Sequence, residues 1–187
     1  MLVLRPADAH ETTVAWRMAM ENHKTPSALI LSRQNIVDVP AKEGSSRYND
    51  ALASKNGAYV VKDSSGKPDI ILVANGSEVS TCIDGAELLE KEKNLNVRIV
   101  SIPSEGLFRN QSKDYQNAIL PDNVPIFGLT AGLPETLKGL VGTKGKVFGL
   151  ESFGFSAPYK VLDEKLGYTG QNVYEQVISY LEEYKKM

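Results

Sequence analysis

From Ala58 onward the sequence alternates short apolar runs with amphipathic segments, and this alternation restricts the fold more than any other feature. Five strands are predicted: Tyr59 to Lys62, Asp69 to Ala74, Asn96 to Ile102, Val124 to Leu129, and Lys146 to Leu150. In DIILVA, Ile70 to Ala74 form a continuous apolar run, as in strands covered on both faces. Between and after them fall segments with helical spacing. From Ser77 to Lys93, Val79, Cys82, Ile83, Ala86 and Leu89 share one face. Ser77 is the expected cap of that helix. From Gly170 to Lys185, Val173, Val177, Leu181 and Tyr184 form a stripe. Shorter helices are predicted near Ser112 to Ala118, Pro134 to Val141, and Pro158 to Leu166, the last stopped by Gly167. Strand–helix alternation implies a three-layer α/β/α domain with a mostly parallel, five-stranded sheet.

The region before Ala58 is different. Asp8-x-x-Glu11 has capping-box spacing ahead of a helix over residues 9–22, whose apolar face is Val14, Ala15 and Met18. His23 and Lys24 fall where positive charge suits the helix C-terminus. Pro26 ends the helix, and Ala28 to Ser32 reads as a strand, with a short strand at Leu2 to Leu4. The run ALIL is of the kind buried on both faces, yet one helix and two strands cannot cover it. The segment therefore reads as the tail of a larger α/β domain. Residues 37–57 carry Pro40, Gly44, Ser45 and Ser46 without a sustained period. They read as a linker with a short helix around Asn49 to Ala53.

Composition narrows the function classes. A net charge of -2 and the absence of a basic run give no nucleic-acid surface. No apolar stretch approaches the ~20 residues of a membrane span. A single cysteine, Cys82, excludes an internal disulfide and any multi-cysteine metal site. The expected setting is cytoplasmic.

Arg33 is the first candidate for chemistry. It follows a buried-type strand, and ligands of open α/β sheets bind outside the carboxyl ends of strands. Its planar fork suits phosphate or carboxylate. A salt bridge at a domain edge explains the same placement, and spacing alone leans that way. Gly76-Ser77-Glu78 opens a helix after a strand, but G-x-G-x-x-G is absent and Glu78 would repel a phosphate, so capping is the better reading. Glu151 to Pro158, ESFGFSAP, lacks G-x-S-x-G and reads as a tight turn with Ser156 near a helix start. Cys82 lies on an apolar stripe and reads as structural. His10 and His23 have no ligand partner at helical spacing. No complete catalytic set is present.

The stretch RPADAHETTVAWRMAMENHKTPSALILSRQN resembles transketolases at the end of their middle, pyrimidine-binding domain. GAYVVKD, DIILVANGSEV, VRIVSIPS, ILP and FGFSAP are similar to that family's C-terminal domain. The resemblance covers nearly the whole chain. It implies that residues 1–36 are the remnant of the pyrimidine-binding domain, 37–57 a linker, and 58–187 the C-terminal domain. It implies a two-carbon ketol transfer between sugar phosphates in the pentose phosphate pathway, with thiamine diphosphate and a divalent metal (Mg or Ca) in the complete enzyme. Arg33 matches the family arginine that holds the substrate phosphate, and Ser32 matches its neighbour in that site. The family's G-D-G…N metal motif is not in this sequence, and neither His10 nor His23 matches a catalytic histidine. Neither cofactor nor catalysis is therefore expected of this chain alone; its partners would be the N-terminal part of the enzyme and a second copy in a homodimer. One departure is IFGLTAG, with Thr130 where the family commonly has an acidic residue. Dihydroxyacetone synthase shares these motifs and is the alternative within the same chemistry. A stand-alone α/β assembly or nucleotide-binding module is the alternative outside it.

Overall fold

The computed structural model describes residues 1–186. Its larger sheet has five strands: β3 (Tyr59–Lys62), β4 (Ile70–Ala74), β5 (Val97–Ser101), β6 (Ile126–Leu129) and β7 (Lys146–Phe148). Their order is β3-β5-β4-β6-β7, with β3 antiparallel to β5 and every other pair parallel. The alternation of strand and helix in the sequence thus produces the expected three-layer, mostly parallel fold.

The apolar runs explain the layering. Ile70, Leu72 and Ala74 face one side of β4, together with Val97, Ile99, Phe127 and Leu129. Helices α3 (Glu78–Lys93) and α8 (Gly170–Tyr184) cover that side through Cys82, Leu89, Val177 and Tyr180. Ile71, Val73, Val100 and Ile126 face the other side. There they meet Phe108 of α4 (Glu105–Arg109), Ile119 of α5 (Lys113–Ile119) and Leu137 of α6 (Glu135–Lys138). All five residues of β4 are fully buried. Burying an Ile, Leu or Val side chain yields roughly 1.5–3 kcal/mol. Tyr180 fills the first layer, and its hydroxyl accepts the N–H of Ile126 at 3.3 Å, at the start of β6. Between α3 and α8, Gly85 lets Val173 approach so closely that a Cβ would overlap it.

Residues before the sheet form a β-α-β unit: β1 (Leu2–Leu4), α1 (Ala9–Glu21) and β2 (Ser27–Leu29). The two strands pair in parallel, Val3 opposite Ala28. Asp8 caps α1, accepting the N–H of Glu11 at 2.8 Å, as the spacing predicts. Residues 37–57 contain α2 (Arg47–Ala51) and a 3-10 turn over Leu52–Asn56, and Val39, Ala51 and Ser54 are buried.

The structure departs from the sequence reading at several points. The strand expected over Ala28 to Ser32 stops at Leu29, and Ile30 and Leu31 are 49% and 51% exposed. Its sheet has only β1 beside it, so the apolar run is left half covered. Helix α1 ends at Glu21 with Asn22 as cap, leaving His23 and Lys24 beyond the last turn. Ser77 does not cap α3; its backbone is already helical and its hydroxyl donates to Glu78 at 2.7 Å. Ser156 does not cap the last short helix, α7 (Tyr159–Leu166), which starts after Pro158 without a side-chain cap. Helix α4 is too short to show a period in the sequence. No helix among the described residues is long and apolar enough to cross a membrane.

Two glycines test the backbone. Gly57 (φ 86°) ends the 3-10 turn, where a Cβ would collide with the backbone of Ser104 and Phe108; Gly44 (φ 72°) has open space around it. Gly44→Ala should cost about 1 kcal/mol, the left-handed penalty alone. Gly57→Ala should cost clearly more, because overpacking adds roughly 1–3 kcal/mol. Urea unfolding of the two variants checks this, and equal losses would contradict the packing argument.

Candidate functional site

Arg33 lies in the loop that follows β2, with Ser32 before it. The hydroxyl of Ser32 donates to the carbonyl of Gln34 at 3.1 Å, closing a turn around the arginine. Both residues are exposed. They line a crevice of about 640 Å³ whose far wall includes Glu78, Lys160 and Tyr168. No ion pair among the described residues involves Arg33. An exposed guanidinium with no carboxylate partner, beyond the carboxyl end of a parallel strand, is suited to receive an anion.

The floor of this crevice is where the two sheets meet. The N–H of Arg5, just after β1, donates to the carbonyl of Pro103 at 2.8 Å, and the carbonyl of Arg5 accepts the N–H of Gly76 at 3.1 Å. These contacts place Arg5 at the carboxyl ends of β4 and β5. Its guanidinium reaches the hydroxyl of Thr130 at 3.4 Å, and that hydroxyl donates to Asn75 at 3.3 Å. Thr130 is fully buried, after β6. In this chain the counter-charge for Arg5 is supplied by Glu78, whose Oε2 lies 3.8 Å from Nη2. Burial pushes the Glu78 carboxyl above its usual range.

A second polar cluster escaped the sequence reading. Asp8, the cap of α1, and Glu11, in its first turn, are both fully buried. Arg47 of α2 spans them: Nε donates to Asp8 Oδ2 at 2.5 Å and Nη2 to Glu11 Oε1 at 3.2 Å. The Tyr59 hydroxyl, from β3, donates to the same Glu11 oxygen at 2.6 Å. The other Glu11 oxygen accepts the N–H of Ala7 at 2.8 Å. The guanidinium carbon of Arg47 sits 5.8 Å from the Tyr59 ring centroid. Every group facing Glu11 is a donor, yet burial outweighs them and holds its carboxyl above the ordinary value. The capping-box spacing of Asp8 and Glu11 was a partial signal. Arg47, in a segment without periodicity, gave none.

The remaining sequence candidates are not brought together. Cys82 is buried in the core, where desolvation raises its thiol pKa. His10 lies 4.0 Å from Asp38, and His23 is exposed elsewhere. The ESFGFSAP loop is open to solvent, with Phe153 96% exposed. Among the described residues, no group of three or more His, Cys, Asp or Glu is placed to hold a metal ion.

Comparison with known proteins adds to this geometry. Residues 57–169 match a family model described as the transketolase-like C-terminal domain. Transketolase of Staphylococcus aureus (strain MW2) is 40% identical over 185 residues, covering 96% of this chain and 26% of its own length. Among solved structures, transketolase from Leishmania mexicana matches with a TM-score of 0.84 and 35% identity, over 97% of this chain and 25% of that one. Transketolase from Pichia stipitis in complex with sedoheptulose-7-phosphate matches with a TM-score of 0.82 and 34% identity, over 98% of this chain and 25% of that one. The chain thus spans about a quarter of the length of these relatives.

The buried glutamate gives a pH test. Because the folded value of Glu11 lies above its ordinary 4.5, the folded chain keeps a proton that the unfolded chain has released. This group's contribution to stability is therefore greatest below 4.5 and declines as pH rises through the raised value. Denaturant unfolding of the wild type and Glu11→Gln should show their stability difference moving against the wild type as pH rises from about 4.5 to the raised value, and levelling off above it. A difference that stays flat with pH would overturn the assignment.

Proposed function

The chain belongs to the transketolase family and corresponds to the C-terminal portion of those enzymes, and on that premise we propose that Arg33 binds the phosphate of a sugar phosphate in the complete enzyme. The carrying observation is the exposed Arg33 guanidinium, without an ion pair among the described residues, at the mouth of a crevice beyond the carboxyl end of β2. The relative from Pichia stipitis bound to sedoheptulose-7-phosphate supports the ligand class. Ser32 has the lesser role of shaping the turn that presents the arginine.

The reaction of the complete enzyme is the transfer of a two-carbon ketol unit from a ketose phosphate to an aldose phosphate, a step of the pentose phosphate pathway. Thiamine diphosphate and a divalent metal (Mg or Ca) supply the carbanion chemistry there. The donor set of this chain does not fit that group: the described residues hold no metal-ligand cluster, and the sequence has no G-D-G motif. What the chain contributes is charge at the phosphate end of the substrate and a folded domain for assembly. Residues 1–36 are assigned to the end of the pyrimidine-binding domain, 37–57 to the connection, and 58–187 to the C-terminal domain. The family match over residues 57–169 falls almost wholly in the third. The enzyme is expected to be a cytoplasmic homodimer completed by its N-terminal part.

Two measurements test this. In the complete enzyme, Arg33→Ala should raise KM for phosphorylated sugars by about thirty- to a hundredfold, the equivalent of roughly 2–3 kcal/mol for a charge-assisted pair, with a much smaller change for unphosphorylated ones. Equal effects on both substrate types would reject the phosphate role. Calorimetric titration of this chain alone with thiamine diphosphate and magnesium should show no tight binding; a saturable, tight isotherm would reject the assignment of that site elsewhere.

A further inference from the structure

Arg33 sits in a loop with almost no support of its own. Between Ile30 and Asp38 the one side-chain hydrogen bond internal to the loop, among the described residues, is that of Ser32 to Gln34. Placement of the arginine therefore depends on how the loop's two ends are held. The first end is fixed by the sheet: the N–H of Ile30 donates to the carbonyl of Leu4 at 2.8 Å, extending the β1–β2 ladder. The second end is fixed at Val39, which is 2% exposed and whose N–H donates to Asp8 Oδ2 at 3.1 Å. Asp38 adds an exposed contact, its Oδ1 accepting the N–H of Ala9 at 3.3 Å.

The oxygen that holds Val39 is also the one that Arg47 holds. Asp8 Oδ2 accepts from Arg47 Nε at 2.5 Å, while Oδ1 is committed to capping α1. Arg47 is set in turn by its second bond, to Glu11, and by the face of Tyr59. A chain of buried contacts thus runs from β3 through Arg47 and Asp8 to the far end of the Arg33 loop.

We infer that Arg47 is a positioning residue for Arg33, acting through the shared Asp8 carboxylate to fix the second anchor of the phosphate-binding loop. The role is geometric. Arginine can bridge the two carboxylates because its fork offers Nε and Nη2 at fixed separation; lysine keeps the charge but offers a single nitrogen. A loop displaced by about 1 Å costs as much as a hundredfold in a reaction that depends on alignment. The inference rests on the phosphate role proposed for Arg33, but its structural half can be measured separately.

The experiment uses the complete enzyme with Arg47→Lys, Asp38→Ala and Arg33→Ala, plus the double variant Arg33→Ala/Arg47→Lys. Asp38→Ala loosens the same anchor at an exposed site, so it reports even where Arg47→Lys lowers folding yield. Hydrogen exchange of the peptide spanning residues 30–40 should accelerate in both anchor variants, with α3 and α8 unchanged. KM for a phosphorylated acceptor should rise about tenfold in Arg47→Lys and less in Asp38→Ala, with a smaller change for an unphosphorylated aldehyde. The double variant should be no worse than Arg33→Ala alone. Unchanged exchange at residues 30–40, or an Arg47→Lys effect that adds fully to that of Arg33→Ala, would overturn the inference. If the loop loosens but Arg33→Ala itself shows no preference for phosphorylated substrates, the phosphate reading falls, and with it the catalytic half of this inference, while the anchoring stands.

Discussion

Two carboxylates and one guanidinium, all buried, hold the parts of this chain together. Asp8 caps α1 and Glu11 lies in its first turn, while Arg47 belongs to α2 and Tyr59 to the first strand of the large sheet. Removing charges from water costs several kcal/mol per ion, and attraction alone seldom recovers it. Here the recovery comes from donors: Asp8 accepts from two backbone N–H groups and Arg47, and Glu11 from Ala7, Tyr59 and Arg47. The cluster specifies geometry more than it adds stability. A hydrophobic contact between these elements would tolerate sliding; four directional groups sharing oxygens tolerate very little.

The parts of the fold that were legible in the sequence are those governed by one strong local rule. The fully buried β4 announced itself as five consecutive apolar residues, and α3 as a helical stripe ending in lysines. The loop position of Arg33 followed from the strand before it. Legibility failed where tertiary partners decide. Ile30 and Leu31 carry the composition of a central strand, but extension depends on neighbours that the local sequence does not encode. Helix α4 is a single turn and a half held by its packing of Phe108. Arg47 is the sharpest case. Its segment is polar and aperiodic, so nothing local distinguishes a solvated arginine from one that is 7% exposed and bridges two acids. Only the fold brings Asp8, 39 positions away, and Tyr59 to it.

Thr130 shows the same principle from the opposite side. The family resemblance leads to the expectation of an acid at this position. In this chain a neutral hydroxyl accepts from Arg5 and from the N–H of Gly132, and donates to Asn75, while Glu78 supplies the negative charge from one strand away. The charge balance of the crevice floor is kept by a residue that the sequence marked only as a first-turn acid. Glu78 reaches Arg5 from the start of α3 while itself buried, and that burial makes its carboxyl harder to ionise.

The peptide groups of Arg5 belong to both sheets at once. One bonds to the segment after β5 and the other to the turn after β4, while the adjoining residue Leu4 is still paired with Leu29. The small sheet cannot peel away without also opening the two turns that begin at the carboxyl ends of β4 and β5. Local opening of the β-α-β unit is therefore coupled to the rim of the main domain through these two hydrogen bonds. A segment of only 29 residues that would be marginal by itself thereby inherits part of the stability of a sheet to which it contributes no strand.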